Sequence, residues 1–162
     1  MTWSDHIDDI CKRSNKRLDI ISEIRYLLPR LCIEKLYKSF VRSLLDYSDV
    51  IYDNCSNIDS TKIENIQRQA CIILTGAIRV TKHKTLLKES DVEPLKTRRK
   101  LHRLTYVFKI KNKLTPDYLF NIHPLSSHNT HNYDLRRPSQ LIPIKARTAT
   151  YYNSFPPATI RD

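Results

Sequence analysis

The sequence predicts an all-α fold: a small bundle of about five helices over residues 1–123, then an extended, irregular, partly ordered C-terminal arm over residues 124–162. Three observations predict it. Apolar residues recur at i, i+3, i+4 and i+7 in one segment after another. Gly76 is the only glycine, which disfavours tight hairpins and an all-β architecture. Beyond Pro124 the apolar residues lose that spacing, and Pro138, Pro143, Pro156 and Pro157 interrupt the chain. A chain of 162 residues fits one domain, or one domain with a tail.

The first helix is expected over Trp3 to Leu28. Ser4 is its cap candidate, Ile7, Ile10, Cys11, Leu18, Ile21, Ile24 and Leu28 keep to one face, and Pro29 stops it. The second, about Leu31 to Leu45, has the clearest pattern: Ile33, Leu36, Tyr37, Phe40, Val41, Leu44 and Leu45 on one side, charged and hydroxyl residues on the other. The short link at Pro29 makes the two an antiparallel neighbouring pair. Asp46 to Cys55 either extends the second helix or lies as an apolar loop over the core.

A third helix begins near Asn57 or Asp59, buries Ile63, Ile66, Ala70, Ile73 and Leu74, and ends at Gly76, whose left-handed conformation would explain the lone glycine. Thr81 to Ser90 forms a short helix on Leu86 and Leu87. A long basic helix follows Pro94, with Leu95, Leu101, Leu104, Val107, Phe108 and Ile110 available to bury. Thr115-Pro116-Asp117 signals a turn and a restart, followed by a one- or two-turn helix carrying Tyr118, Leu119 and Ile122.

Charge is local. Arg79 to Lys113 holds twelve basic and three acidic side chains, nine of the chain's net +11. Met1 to Ile78 is neutral, with eleven of each sign. Lys96, Arg98, Arg99, Lys100, His102, Arg103, Lys109, Lys111 and Lys113, with Arg79, Lys82 and Lys84, are the candidate nucleic-acid-binding residues. Clustered cations with few acids attract a phosphate backbone, and released counterions supply the free energy. The alternative is a solvated charged face. Tyr106 and Tyr118 are either stacking platforms or rim packing, and Arg136, Arg137, Lys145 and Arg147 make a weaker patch in the arm.

Several chemistries are not encoded. One glycine cannot build a phosphate-cradling loop. Cys11, Cys32, Cys55 and Cys71 show neither zinc-ligand nor compact disulfide spacing and read as reduced cysteines of an intracellular protein, nuclear or cytoplasmic. Asp46-Tyr47-Ser48-Asp49 has the wrong order for a polymerase metal pair. His128 and His131 lack partners at ligand spacing. No catalytic residue, cofactor or metal is expected, and no segment reads as a membrane span or signal peptide.

Specific stretches go further than composition. Lys35–Cys55 (KLYKSFVRSLLDYSDVIYDNC), Ile63–Ala77 (IENIQRQACIILTGA) and Glu93–Asn112 (EPLKTRRKLHRLTYVFKIKN) resemble the region after the palm of non-LTR retrotransposon (LINE-like) reverse transcriptases. Thr2–Ile7 and Asn153–Asp162 extend the likeness to nearly the whole chain. The resemblance implies a helical, basic thumb and downstream region that grips a template–primer duplex. It also implies a partner, the upstream polymerase body, which would carry the polymerase aspartates missing here. Met1 stands directly before the Thr-Trp-Ser-Asp-His block, the chain stops at Ile-Arg-Asp where relatives continue, and Ser48 replaces a commoner Gly or Ala. The expectation is a truncated copy or partial gene product that binds RNA or DNA backbones without polymerase activity of its own. The competing expectation is a helical protein–protein interaction module.

Overall fold

The computed structural model describes residues 3–122, 145–152 and 154–161. They form an all-α protein with no strand among the described residues. The chain divides into two compact units, Met1–Arg99 and Lys100–Asp162, and the division falls inside one helix. The boundary expected between residues 123 and 124 borders residues 123–144, which are outside the described set.

In the first unit, helix α1 (Ser4–Ile24) buries Ile7, Ile10, Leu18 and Ile21 on one face. It ends four residues before the expected Leu28. Ser4 does not cap it; its hydroxyl donates instead to Asp59 Oδ2 at 2.9 Å. After Pro29 the chain is continuously helical, as α2 (Arg30–Leu36), a π-helical stretch (Tyr37–Arg42) and α3 (Ser43–Asp46). Ile33, Tyr37, Val41 and Leu45 are its buried positions. It runs antiparallel to α1: Arg17 stacks on the Phe40 ring at 4.5 Å and donates to the Phe40 carbonyl.

Ser48 takes the left-handed conformation, φ 56°, and redirects the chain into α4 (Asp49–Tyr52). The stretch from Asp46 to Cys55 is therefore the end of α3, a turn, the single helical turn of α4 and a second turn. Its Tyr52 is 1 % exposed and donates its hydroxyl to the Leu45 carbonyl. Helix α5 (Asn57–Thr75) is capped by Ser56, one residue before the nearer expected candidate. Ser56 Oγ accepts from the Asp59 amide at 3.1 Å and donates to the Asp59 carboxylate at 2.9 Å, a reciprocal cap with Asp in the third position. Gly76 closes α5 at φ 68°, as its position predicts.

Helix α5 is the centre of the unit. It packs in parallel against α1, through Ser4–Asp59 and the Lys62–Asp8 pair at 2.6 Å, and also against α2 and α6 (His83–Ser90). Leu86 is fully buried there. Ile63, Ile66, Ala70, Cys71 and Leu74 face the core, and small Ala70 sits among larger side chains. All four cysteines are free thiols, and burial pushes the Cys71 thiol above its ordinary pKa.

Helix α7 (Leu95–Lys111) begins in the first unit, where Leu95 joins the core, and continues into the second. In the second unit α8 (Asp117–Ile122) follows the Thr115-Pro116 turn, as expected. Within the arm, α9 (Ala149–Tyr152) and α10 (Phe155–Arg161) are short helices rather than extended chain. Pro156 and Pro157 fall in the first turn of α10, where a missing N–H costs nothing. Phe155 meets Tyr106 edge-on at 5.6 Å between ring centroids. Among the described residues no helix is long and apolar enough to cross a membrane.

Candidate nucleic-acid interface

The first turn of α7 is fixed before any ligand is considered. Glu64 Oε1 accepts from the Lys96 amide at 2.8 Å, so a side chain of α5 satisfies one of the orphan donors at the start of α7. Gln67, fully buried, donates from Nε2 to the Glu93 carbonyl at 2.7 Å.

Two of the nominated cations then turn inward. Arg98 grips Asp46 with its fork, Nη2 to Oδ2 at 2.8 Å and Nε to Oδ1 at 3.4 Å. The Asp46 hydrogen bond holds the Arg98 guanidinium more firmly protonated than usual. Arg99 is 3 % exposed, with Nε on Asp53 Oδ1 at 3.2 Å and Nη2 on Ser60 Oγ at 3.1 Å. A buried guanidinium spent on a carboxylate and a hydroxyl has no face to offer a phosphate. Arg99 therefore leaves the candidate interface and becomes part of the architecture; Arg98 is half-committed in the same way. The same contacts explain the carboxylates. Asp46, from the Asp46-Tyr47-Ser48-Asp49 stretch whose order does not suit a polymerase metal pair, and Asp53 are the counter-charges that hold Arg98 and Arg99.

The remaining cations divide by unit. In the first, Arg79, Lys82, Lys84 and Lys96 are exposed. In the second, Lys100, Lys109, Lys111 and Lys113 are exposed, while His102 and Arg103 are half-buried. The second unit is the more basic: Lys100–Asp162 holds ten basic and three acidic residues, against eighteen and fourteen in Met1–Arg99.

A single cationic face does not account for all of them. At about 100° per residue, Lys100, Arg103 and Lys111 share one side of α7, and Lys109 stands opposite Lys100. Lys113, beyond the helix end at φ 54°, sets its ammonium 5.3 Å from the Phe120 ring centroid. Lys109 and Lys111 also lie in the last turn, where positive charge favours the helix irrespective of ligand.

The apolar side of α7 also departs from expectation. Ile110 is buried, but Leu101 is 55 % exposed, Leu104 39 % and Phe108 62 %. These three share a stripe that borders the Lys100–Lys111 side. Tyr106 packs on Phe155 and so serves as rim, whereas Tyr118 is exposed. Lys145 and Arg147 are exposed; Arg136, Arg137, His128 and His131 lie outside the described residues.

Sequence reasoning missed the Asp46, Asp53 and Glu64 contacts because they join residues 52, 46 and 32 positions apart. No local pattern reports such pairs. The Ser56 cap, in contrast, was encoded as Ser-x-x-Asp. No known family model, curated protein or solved structure matches the chain.

Proposed function

We propose that this chain binds nucleic acid through its phosphates, without sequence preference, using the Lys100, Arg103 and Lys111 side of α7. In this reading the chain is the thumb and downstream part of a LINE-like retroelement reverse transcriptase, it holds a template–primer duplex, and it performs no polymerisation itself. The observation that carries the proposal is the charge of the second unit, ten basic residues against three acidic, with α7 presenting one row of that charge. Phosphate contacts need charge and reach rather than a shaped pocket.

Titration of a hybrid RNA–DNA duplex tests it. Lys100→Gln with Lys111→Gln removes two phosphate contacts, so the slope of log K against log salt falls in magnitude by roughly 1.8. Lys109→Gln, on the opposite side, leaves the slope unchanged. Equal effects from all three positions would remove the geometric part of the proposal.

A second reading has its own support. Leu101, Leu104 and Phe108 form an apolar stripe that is exposed among the described residues, which suits a helical partner. Under it, Leu104→Ser with Phe108→Ser abolishes a complex detected by size exclusion, and duplex affinity is absent from the start.

A further inference from the structure

The first unit contains a groove of about 750 Å³ where the C-terminal ends of α1 and α5 meet the loop after Gly76. That is within the roughly 300–1,000 Å³ range of small-molecule sites. Arg25, Arg68 and Arg79 line it against a single carboxylate, Asp19, and Ile72 and Ile78 supply an apolar wall. Ile78 is 77 % exposed.

Three guanidiniums with one acid need an explanation, because among the described residues none of the three forms an ion pair. Arg68 has a structural role: its Nη2 donates to the carbonyl of Arg79 at 2.7 Å, which fixes the loop. Arg25 lies over the Tyr26 ring at 4.5 Å, a contact that orients the guanidinium and leaves its N–H edge uncommitted. Arg79 is exposed at the mouth. The two helix C-termini contribute roughly half a negative charge each. Three arginines less one aspartate exceed that, so the local balance stays positive.

We infer that this groove binds a nucleoside phosphate, its phosphate held by Arg25 and Arg79 and its base laid on the Ile72–Ile78 wall. Guanidinium forks match phosphate oxygens, and the apolar wall gives a flat ring a surface that inorganic phosphate cannot use. The source is either a free nucleotide or the phosphorylated end of a strand. The inference does not depend on duplex binding by α7, since every residue it uses lies in the first unit.

The test is titration of the full chain with AMP, adenosine, inorganic phosphate, and a short oligonucleotide with and without a 5′-phosphate. AMP is expected to bind at one site, at least tenfold more tightly than adenosine or inorganic phosphate. Arg25→Gln and Arg79→Gln each weaken AMP about tenfold, the value of one charge-assisted contact. Asp19→Asn tightens AMP a few-fold by removing the only acid, a gain that damage to the fold cannot mimic. Arg25→Gln leaves affinity for a blunt, unphosphorylated duplex unchanged. Binding of the 5′-phosphorylated strand but not of AMP assigns the site to strand ends and supports the same chemistry. The inference is overturned if inorganic phosphate binds as tightly as AMP, if no phosphorylated probe binds, or if the arginine variants bind AMP as the parent does.

Discussion

Replacing Arg99 by methionine separates an architectural cation from a ligand-binding one. Arg99 is 3 % exposed and its partner Asp53 has a side chain 11 % exposed, so the substitution leaves a nearly buried carboxylate without its guanidinium. Breaking a buried pair from one side costs about 3–5 kcal/mol. The Ser60 hydroxyl loses its contact with Nη2 as well. For a cooperative unit of about one hundred residues, 3 kcal/mol lowers Tm by at least about 12 °C. Urea and thermal melts followed by circular dichroism measure this directly. Adding Asp53→Asn should recover at least half the loss, because the buried charge that lost its guanidinium is then gone. Duplex affinity, measured at low temperature where the variant is folded, should stay within about threefold of the parent, less than one charge-assisted contact. A variant as stable as the parent, or one that stays folded yet loses duplex binding tenfold, would refute the assignment of Arg99 to the interior.

Four further substitutions follow from the same structure. Ser48→Gly should stabilise the protein by about 1 kcal/mol, because Ser48 holds φ 56° with a β-carbon that disfavours it; a lower urea midpoint contradicts this. Tyr37→Phe should be neutral or stabilising, since the Tyr37 hydroxyl is buried with no hydrogen-bond partner among the described residues, and burial raises its pKa well above the ordinary value. Tyr52→Phe should cost about 1 kcal/mol, because its equally buried hydroxyl donates to the Leu45 carbonyl; equal effects at the two tyrosines would contradict both assignments. Asp59→Asn should cost about 1 kcal/mol at neutral pH through the weakened cap. The Ser56 hydroxyl, then Lys62 and Ser4, hold the Asp59 carboxyl below its ordinary pKa. That stabilisation is complete above the unfolded value near ~3.9 and is lost as pH falls through the folded one. The parent should therefore lose more Tm than the variant as pH falls from about 5, roughly one unit above the unfolded carboxylate pKa, to the acid limit.

Helix identity was legible because burial imposes a 3.6-residue period on sequence. The spacing of Ile33, Tyr37 and Val41 placed the helical segment after Pro29 but not its π-helical winding over Tyr37–Arg42, and the lone Gly76 placed the end of α5. Ends were less legible. The first helix stops at Ile24, before the Pro29 that would enforce a stop, and the turn at Arg25–Leu27 that ends it carries no breaker residue to announce it. The left-handed Ser48 was illegible because serine carries no signal for that conformation. Charge was legible in amount but not in where each cation points. Composition counts Arg98, Arg99 and Lys100 alike, but tertiary pairing with Asp46 and Asp53 half-buries the first and takes the second out of solvent. The Leu101–Leu104–Phe108 stripe shows the converse: helical spacing marks residues that can be buried together, and says nothing of whether anything covers them.

The salt dependence of binding to a hybrid duplex decides whether α7 holds phosphates. Three phosphate contacts through Lys100, Arg103 and Lys111 predict a straight line of log K against log salt with a slope near −2.7, the same for unrelated sequences. A slope near zero, or an affinity that changes with sequence and not with salt, would contradict the account.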